Sequence, residues 1–335
     1  MLQLAELYAP IAADLEHSQR RFRDELISDQ GFVSDMCAHV AQFHGKRLRP
    51  ALLLLSARAC GNVTPTHHVL AAVVEMVHIA TLVHDDVLDD ADIRRRAATV
   101  NRLWGTERAV LMGDFLISHA FHLCSTLDST EAARLIGEVT NTTCEGEMMQ
   151  VAQRYHFDLS TDEYLDIITR KTAALIGVCC QLGARFAGAP HVGGTPNAGG
   201  APPAMVAAAR EYGICLGIAF QITDDVLDLV GDEAEAGKSL GRDLAGGKLT
   251  LPLIHALATA PAGQRTRLRA MLDVEGAPEQ REIVRLLHTL GSVEYARHAA
   301  AEHVRRARAA LRVLPESEAR AALATLADFV LDRQK

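Results

Sequence analysis

Apolar side chains recur at helical spacing along almost the whole chain. In residues 2–27, leucine and isoleucine lie on one face and charged side chains on the other, which predicts an amphipathic helix. Four longer apolar runs predict buried helices at 73–83, 108–124, 161–187 and 205–230. Residues 251–335 continue as amphipathic helices. Strand-like alternation is nearly absent, so the pattern predicts an all-α fold and a single domain spanning 1–335.

Two stretches interrupt the helical pattern. Residues 187–204 are rich in glycine, proline and alanine, which predicts a flexible surface loop rather than a domain linker. Residues 231–248 are rich in glycine and mixed in charge. This composition is typical of a lid loop that closes lysines over phosphates, and equally of an ordinary surface loop.

Composition narrows the class of protein. Of 335 residues, 49% are hydrophobic and only 4% aromatic, and the net charge of −8 argues against a nucleic-acid partner. The seven cysteines lie in apolar stretches without CxxC spacing, which predicts reduced, buried thiols in the cytoplasm. We find no signal peptide and no apolar run of about 20 residues. We therefore expect a cytoplasmic protein without a transmembrane segment, and a peripheral membrane contact for product release stays open.

Carboxylates follow the apolar run at 73–83. On a helix Asp85 and Asp89 are four residues apart, and Asp86 and Asp89 three apart, so all three side chains share one face. Like charges at this spacing repel unless a cation lies between them, and Mg²⁺ binds carboxylate and phosphate oxygens together. A single cluster of this kind is more often a solvated helix end.

The same arrangement recurs at Asp224, Asp225 and Asp228, again after a long apolar run. Both clusters contain the string DDVLD, so the pattern predicts two metal-binding clusters that hold one diphosphate. Because the motif occurs twice, two metal-binding clusters are a better interpretation than two solvated helix ends.

Basic residues accompany the aspartates. Gly45, Lys46 and Arg49 precede or open a proline-containing helix, where arginine and a helix N-terminus favour an anion, although a solvated basic turn fits equally well. Lys171 interrupts an apolar helix, which is costly unless an anion meets it. His78 on an apolar helix is by itself more often a core histidine.

Together these motifs resemble the trans-isoprenyl diphosphate synthases. GKRLRP, HDDVLD followed by arginines, GExxQ, KTAxL, FQxxDDxLD and GKxxGxDxxxGKxTLP occur in the family's order between about residues 40 and 256. The resemblance implies a helical bundle around a deep central cavity, working as a homodimer. It also implies that an allylic diphosphate is ionised with about two to three Mg²⁺ ions and alkylates isopentenyl diphosphate.

The resemblance assigns roles to individual positions. The metal-binding residues would be Asp85, Asp86, Asp89, Asp224, Asp225 and Asp228. The residues that hold the diphosphates would be Lys46, Arg49, His78, Arg94, Arg95, Lys238 and Lys248. The catalytic residues near the developing cation would be Lys171, Thr172 and Gln221. One departure is RRRAAT at 94–99, where the family usually reads RRGxPT.

Product length depends on what blocks the growing chain. Val77, Ala80 and Thr81 precede Asp85, and none is the aromatic residue that short-chain farnesyl synthases place there. The resemblance therefore favours a medium- or long-chain product of about six to nine units (C30–C45), eight being favoured, for quinone side chains. Candidates for a floor on another helix are Phe115, Phe121 and Met148.

Three other functions remain open. A short-chain geranylgeranyl or farnesyl synthase would share every catalytic motif. A class I terpene cyclase would normally carry a different second metal motif. A non-catalytic subunit of a heteromeric synthase would typically have lost aspartates or basic residues that this chain retains.

Overall fold

We describe the protein from a computed structural model, which describes residues 4–43, 45–95, 97–188, 200–231, 241–273 and 280–332. The α-helices, in chain order, are α1 (Leu4–Leu7), α2 (Ala12–Glu25), α3 (Gly31–Val40), α4 (Leu48–Cys60), α5 (Pro65–Leu88), α6 (Val100–Trp104), α7 (Thr106–Ser125), α8 (Thr130–Ala152), α9 (Thr161–Ile168), α10 (Ala174–Arg185), α11 (Pro203–Val230), α12 (Arg242–Ala245), α13 (Leu251–Thr259), α14 (Ala262–Leu272), α15 (Gln280–Thr289), α16 (Ser292–Ala310) and α17 (Glu318–Leu331). The all-α prediction is confirmed.

Other regular structure is short. Among the described residues, two 3₁₀ turns, Ala9–Ile11 and Leu311–Val313, and one π-helical turn, Thr169–Ala173, adjoin the α-helices. Strands β1 (Ile93–Arg94) and β2 (Ala97–Ala98) pair antiparallel, with Arg94 opposite Ala97.

The chain forms two compact units. The first comprises residues 1–140, 178–210 and 313–323, and the second comprises 141–177, 211–312 and 324–335. The prediction of a single domain stays a prediction, because two compact units can belong to one domain.

Helices α4 and α5 form the core of the first unit. Leucines 52 to 55 are fully buried, and most of α5 is buried as well. Burying each such leucine contributes about 1.5–3 kcal/mol to stability. Gly183 of α10 lies against the backbone of Leu53, where a side chain would collide. Helix α5 is therefore held firmly along its length, and the first aspartate cluster is placed at its end.

The second unit has its own apolar core. Buried side chains come from α9, α11, α13 and α16, among them Ile168, Ile222, Ile254 and Ala296. The sequence predicts Ser160 or Thr161 as the cap of α9, and in the structure Ser160 is the N-cap, its hydroxyl accepting a hydrogen bond from the backbone of Glu163. This core positions the end of α11, which carries the second aspartate cluster.

The amphipathic helix expected over 2–27 is interrupted. Helix α1 ends at Leu7, a 3₁₀ turn contains Pro10, and α2 starts at Ala12. Proline lacks the backbone N–H that a continuous helix needs and clashes with the preceding turn. The apolar periodicity was a correct signal for burial, since Leu7, Ile11 and Leu15 are buried, but it did not reveal the break.

The structure bears on three further expectations, and it corrects the one on buried cysteines at Cys144. Pro65–Leu88 and Thr161–Arg185 are long and apolar enough to cross a membrane, although 67% and 78% of their most apolar windows are buried inside the protein, as in core helices. Six of the seven cysteines are buried free thiols, whereas Cys144 is exposed. The loop predictions for 187–204 and 231–248 fall mainly on 189–199 and 232–240, which lie outside the described residues.

Candidate functional site

The first aspartate cluster occupies the C-terminal end of α5. Asp85 and Asp86 lie in its last turn, and Asp89 is its C-cap. Asp89 is exposed, Asp85 is half-buried, and Asp86 is buried, with Arg94 Nε donating to Asp86 Oδ1 over 2.6 Å. A helix C-terminus carries partial negative charge, so three carboxylates there are unfavourable without a cation. The cluster is therefore built to attract positive charge.

A group of basic residues surrounds His78 in the same unit. Burial lowers the pKa of His78 well below its usual range, and Arg49, Arg95 and Arg94 lower that pKa further. His78 is therefore neutral near pH 7, and the three guanidinium groups supply the charge. The buried carboxylate of Glu75 adds negative charge to this group, although burial raises its pKa.

The arginines in this group are held in different ways. Arg95 adopts a left-handed backbone conformation and donates a hydrogen bond to the carbonyl of Phe43. The guanidinium group of Arg95 lies against Gly45, where a Cβ would be 2.7 Å from its central carbon. The buried Nε of Arg49 has no hydrogen-bond partner among the residues that the structure describes. An unsatisfied buried donor costs about 1–3 kcal/mol, so Arg49 is suited to meet an anion.

Lys46 lies beside this group but is exposed. Its backbone carbonyl accepts a hydrogen bond of 3.0 Å from the hydroxyl of Tyr8. Arg49, His78, Arg94 and Arg95, which the sequence predicted as diphosphate ligands, are thus electrostatic neighbours.

The second aspartate cluster lies in the last turns of α11 and is largely satisfied by protein donors. Asp225 accepts hydrogen bonds from the Tyr164 hydroxyl (2.6 Å) and from Gln221 Nε2 (2.7 Å). Burial raises the pKa of Asp225 well above its usual range, and Asp243 raises it further. Asp224 is half-buried, in contrast to Asp225. Asp224 is thus the better placed of the two to bind an ion directly.

Asp243 was missed as a site residue. Its backbone N–H donates to Asp228 Oδ2 over 3.1 Å, and its carboxylate lies 3.7 Å from Lys248 Nζ. Lys248 therefore faces an acidic group in this structure. Asp243 is the aspartate of the motif GKxxGxD, so the sequence contained the information needed to identify it. Lys238, from the same segment, lies outside the described residues.

Lys171 and Thr172 lie on the π-helical turn, Thr169–Ala173. Lys171 Nζ lies 2.5 Å from Glu147 Oε2 and 2.7 Å from Gln150 Oε1, so a carboxylate and an amide oxygen of GExxQ meet the half-buried lysine. Thr172 donates to Gln221 Oε1 over 2.9 Å. One hydrogen-bonded series therefore runs from Thr172 through Gln221 to Asp225.

Two glycines pack directly on the π-helical turn. A Cβ at Gly146 would lie 2.5 Å from the backbone nitrogen of Lys171, and a Cβ at Gly217 would lie 2.5 Å from the Cα of Ala173. Real Cβ contacts are almost never this short. Sequence periodicity did not reveal this turn, and the two glycines that pack on it belong to other helices. π-helical turns are frequent at functional sites.

Helix α7 packs along α5. The His84 ring lies against Gly113, and its Nε2 is 3.1 Å from the carbonyl of Val110. Because His84 is near the end of α5 and Val110 near the start of α7, the two helices run antiparallel. Phe115 therefore lies about one turn from Asp85, near the level of Thr81.

The floor candidates differ in exposure. Phe115 is half-buried and packs against His119, with ring centroids 4.2 Å apart and ring planes tilted by 40°. Phe121 and Met148 are 38% and 64% exposed. Val77 and Ala80 are fully buried.

Comparisons with known proteins agree on one family. Residues 30–290 match the family described as polyprenyl synthetase. The chain is 39% identical over 300 residues to a short chain isoprenyl diphosphate synthase from Methanothermobacter thermautotrophicus, covering 88% of this chain and 89% of that protein. It is 36% identical to an all-trans-nonaprenyl-diphosphate synthase (geranyl-diphosphate specific) from Rhodobacter capsulatus, covering 98% and 97% of the two chains.

A solved structure extends the match to the whole fold. The polyprenyl synthase from Caulobacter crescentus, complexed with calcium and isoprenyl diphosphate, superposes with a TM-score of 0.90 at 33% identity, covering 99% of this chain and 98% of that one. The chain therefore belongs to the polyprenyl synthetase family and is a prenyltransferase.

Proposed function

We propose that the protein is a Mg²⁺-dependent synthase that condenses an allylic diphosphate with successive isopentenyl diphosphate units into a medium- or long-chain all-trans-polyprenyl diphosphate. The observation that carries the proposal is the pair of aspartate clusters, each at the C-terminal end of a long helix. Carboxylate oxygens without nitrogen or sulfur donors suit Mg²⁺. Bound Mg²⁺ would neutralise the diphosphate and make it a better leaving group.

The chain's own side chains would then bind and position the substrates. Arg49, His78 and Arg95, with Lys46, would hold the diphosphate of isopentenyl diphosphate. The unpartnered Nε of Arg49 supports this role, because guanidinium groups bind phosphate oxygens with two parallel hydrogen bonds.

The allylic diphosphate would meet Arg94, Lys171 and Lys238. Arg94 and Lys171 are each engaged with a carboxylate, Asp86 and Glu147, so both would exchange a protein partner for phosphate oxygens. These pairs keep the two cations in place before the substrate binds.

Near the reacting carbons, Thr172 and Gln221 would direct oxygen dipoles at the developing cation. Their mutual hydrogen bond and the bond from Gln221 to Asp225 fix both orientations in advance. Dipoles that need no reorganisation during the reaction contribute most to lowering the barrier. The departing diphosphate would accept the final proton.

Small side chains before the first cluster support a medium or long product. Neither Val77 nor Ala80 is a bulky aromatic residue. Each added isoprene unit would bury five carbons at about 0.8 kcal/mol per carbon. We propose about six to nine units, eight being favoured, for quinone side chains. The proposal includes a homodimer in the cytoplasm.

A short-chain synthase is the second candidate. The observation that favours it is Phe115, which lies near the level of Thr81 and is braced by His119. If its ring blocks the growing chain, elongation stops after few units. The short-chain and nonaprenyl names of the two relatives match both candidates.

The test measures elongation directly. Purified protein is incubated with Mg²⁺, labelled isopentenyl diphosphate and farnesyl diphosphate, and the dephosphorylated products are sized by chromatography. We expect six to nine units, and loss of product with EDTA or in Asp85→Asn. Asp128→Asn, which alters an exposed carboxylate outside the clusters, is the matched control and should retain activity.

The outcomes separate the candidates. Products that stop at four units would show that the protein is a short-chain synthase. Longer products in Phe115→Ala but not in Phe121→Ala would identify Phe115 as the residue that blocks the chain. No elongation by the wild type would overturn both candidates and favour a terpene cyclase or a non-catalytic subunit of a heteromeric synthase.

A further inference from the structure

A group of potential metal ligands lies on α2 and α5, outside the aspartate clusters. Asp14 and His17 are one turn apart on α2, and His68 lies in the first turn of α5. One donor atom from each lies within 4.8 Å of the others. His68 Nε2 is 2.9 Å from Asp14 Oδ1, and the rings of His17 and His68 are 5.2 Å apart.

The chemistry of these donors differs from that of the aspartate clusters. Two imidazoles and one carboxylate are a ligand set that zinc uses, with water in the fourth position. Magnesium prefers oxygen donors in octahedral geometry. The two kinds of site therefore select different ions.

Arg58 supports the carboxylate from its other side. Its Nη2 lies 3.1 Å from Asp14 Oδ2, which leaves Oδ1 directed at His68. Carboxylates that bind metals are commonly hydrogen-bonded through their second oxygen in this way. The neighbouring His67 is already engaged, with Nδ1 accepting from the backbone of Thr64 and Nε2 near the Gly183 carbonyl.

We propose that Asp14, His17 and His68 bind a zinc ion, or a transition-metal ion of similar preference, that fastens α2 to α5. Asp14 and His68 are half-buried and nearly in position. The exposed His17 completes the site by a side-chain rotation.

Such an ion would act near the basic group of the candidate active site. Between α2 and α5 lies a small cavity lined by Leu15, Phe22, Arg47, Glu75 and Ile79. Glu75 belongs to the group around His78. Holding α2 against α5 would keep the walls of this cavity, including Glu75, in place beside the basic group around His78.

The test is binding of zinc to chelator-stripped, full-length protein in the presence of excess Mg²⁺. We expect about one tight zinc per chain by calorimetry, visible absorption with Co²⁺, and a rise of a few degrees in thermal midpoint with zinc. His17→Ala and His68→Ala should each weaken zinc binding by about 10-fold or more.

Two matched controls keep the test specific. His122→Ala removes an exposed histidine elsewhere, and Asp85→Asn alters the first aspartate cluster; both should bind zinc like the wild type. Equal affinity in the wild type and in the His17 and His68 variants would overturn the proposal. So would the absence of tight zinc binding, which would leave Asp14, His68 and Arg58 as an ordinary ion-pair network. None of these three readouts depends on prenyl transfer.

Discussion

The packing of Gly146 on the π-helical turn makes a quantitative prediction. An added methyl group would lie 2.5 Å from the backbone nitrogen of Lys171, whereas ordinary contact begins at 3.4 Å. The difference requires a shift of about 0.9 Å in a backbone that has no flexible end to yield. Gly146→Ala should therefore move Lys171 and Thr172 and destabilise the fold.

The same helix supplies a matched control. A Cβ at Gly137, also in α8, would meet its nearest neighbour, a carbon of Phe121, at 3.8 Å, an ordinary contact. Both substitutions gain the same helix propensity of about 1 kcal/mol. Gly137→Ala should thus stabilise the protein by up to about 1 kcal/mol. Overpacking costs about 1–3 kcal/mol, so the difference in unfolding free energy between the variants should be of that size.

Urea unfolding of both variants measures this difference, and kinetics measure its consequence at the site. A displacement near 1 Å lowers rates by as much as about 100-fold, so kcat/KM of Gly146→Ala should fall by roughly 10- to 100-fold. Gly137→Ala should retain wild-type kinetics. Equal stability of the two variants would refute the packing argument. Loss of stability with full kcat/KM would show that the reaction does not depend on the position of Lys171.

Three further predictions follow from single contacts. Tyr164→Phe removes the hydroxyl that donates a hydrogen bond to Asp225. The free energy of unfolding in urea should fall by about 1–3 kcal/mol, and the Mg²⁺ concentration needed for activity should rise. Tyr155→Phe, which alters an exposed tyrosine, should change neither quantity. Arg49→Lys keeps the positive charge but loses the planar guanidinium group that binds phosphate through two hydrogen bonds, so KM for isopentenyl diphosphate should rise about 10-fold or more. An unchanged KM would show that Arg49 does not bind this substrate. Burial lowers the pKa of His67 in the folded protein. As pH falls below about 6.5, this histidine therefore binds a proton in the unfolded chain only. The free energy of unfolding should then fall by up to about 1.4 kcal/mol per pH unit. Urea unfolding at pH 7.5 and 5.5 should show a smaller loss in His67→Gln, and an equal loss would contradict this reasoning.

Sequence by itself determined the features that depend on local spacing. The helical period predicted an all-α chain, and the positions of Asp85 and Asp224 near helix ends followed from the apolar runs before them. The cap at Ser160 was equally local, because a hydroxyl and a carboxylate three residues apart meet within one turn. Pro10, though visible in the sequence, was overlooked as a break.

Only the tertiary structure decided which of several similar residues are paired and buried. It distinguished Asp86 and Asp225, held by Arg94 and Tyr164, from the more accessible Asp85 and Asp224. These distinctions depend on contacts between residues far apart in the chain, which no local period encodes.

The same reason explains the features that sequence reasoning missed. Gly146 and Gly217 let two other helices approach the π-helical turn closely. Asp243 reaches the second cluster from a segment 15 residues beyond Asp228. Asp14, His17 and His68 form a group only because α2 packs on α5. Side chains on different helices become neighbours through packing of the core, and that packing is a property of the whole fold.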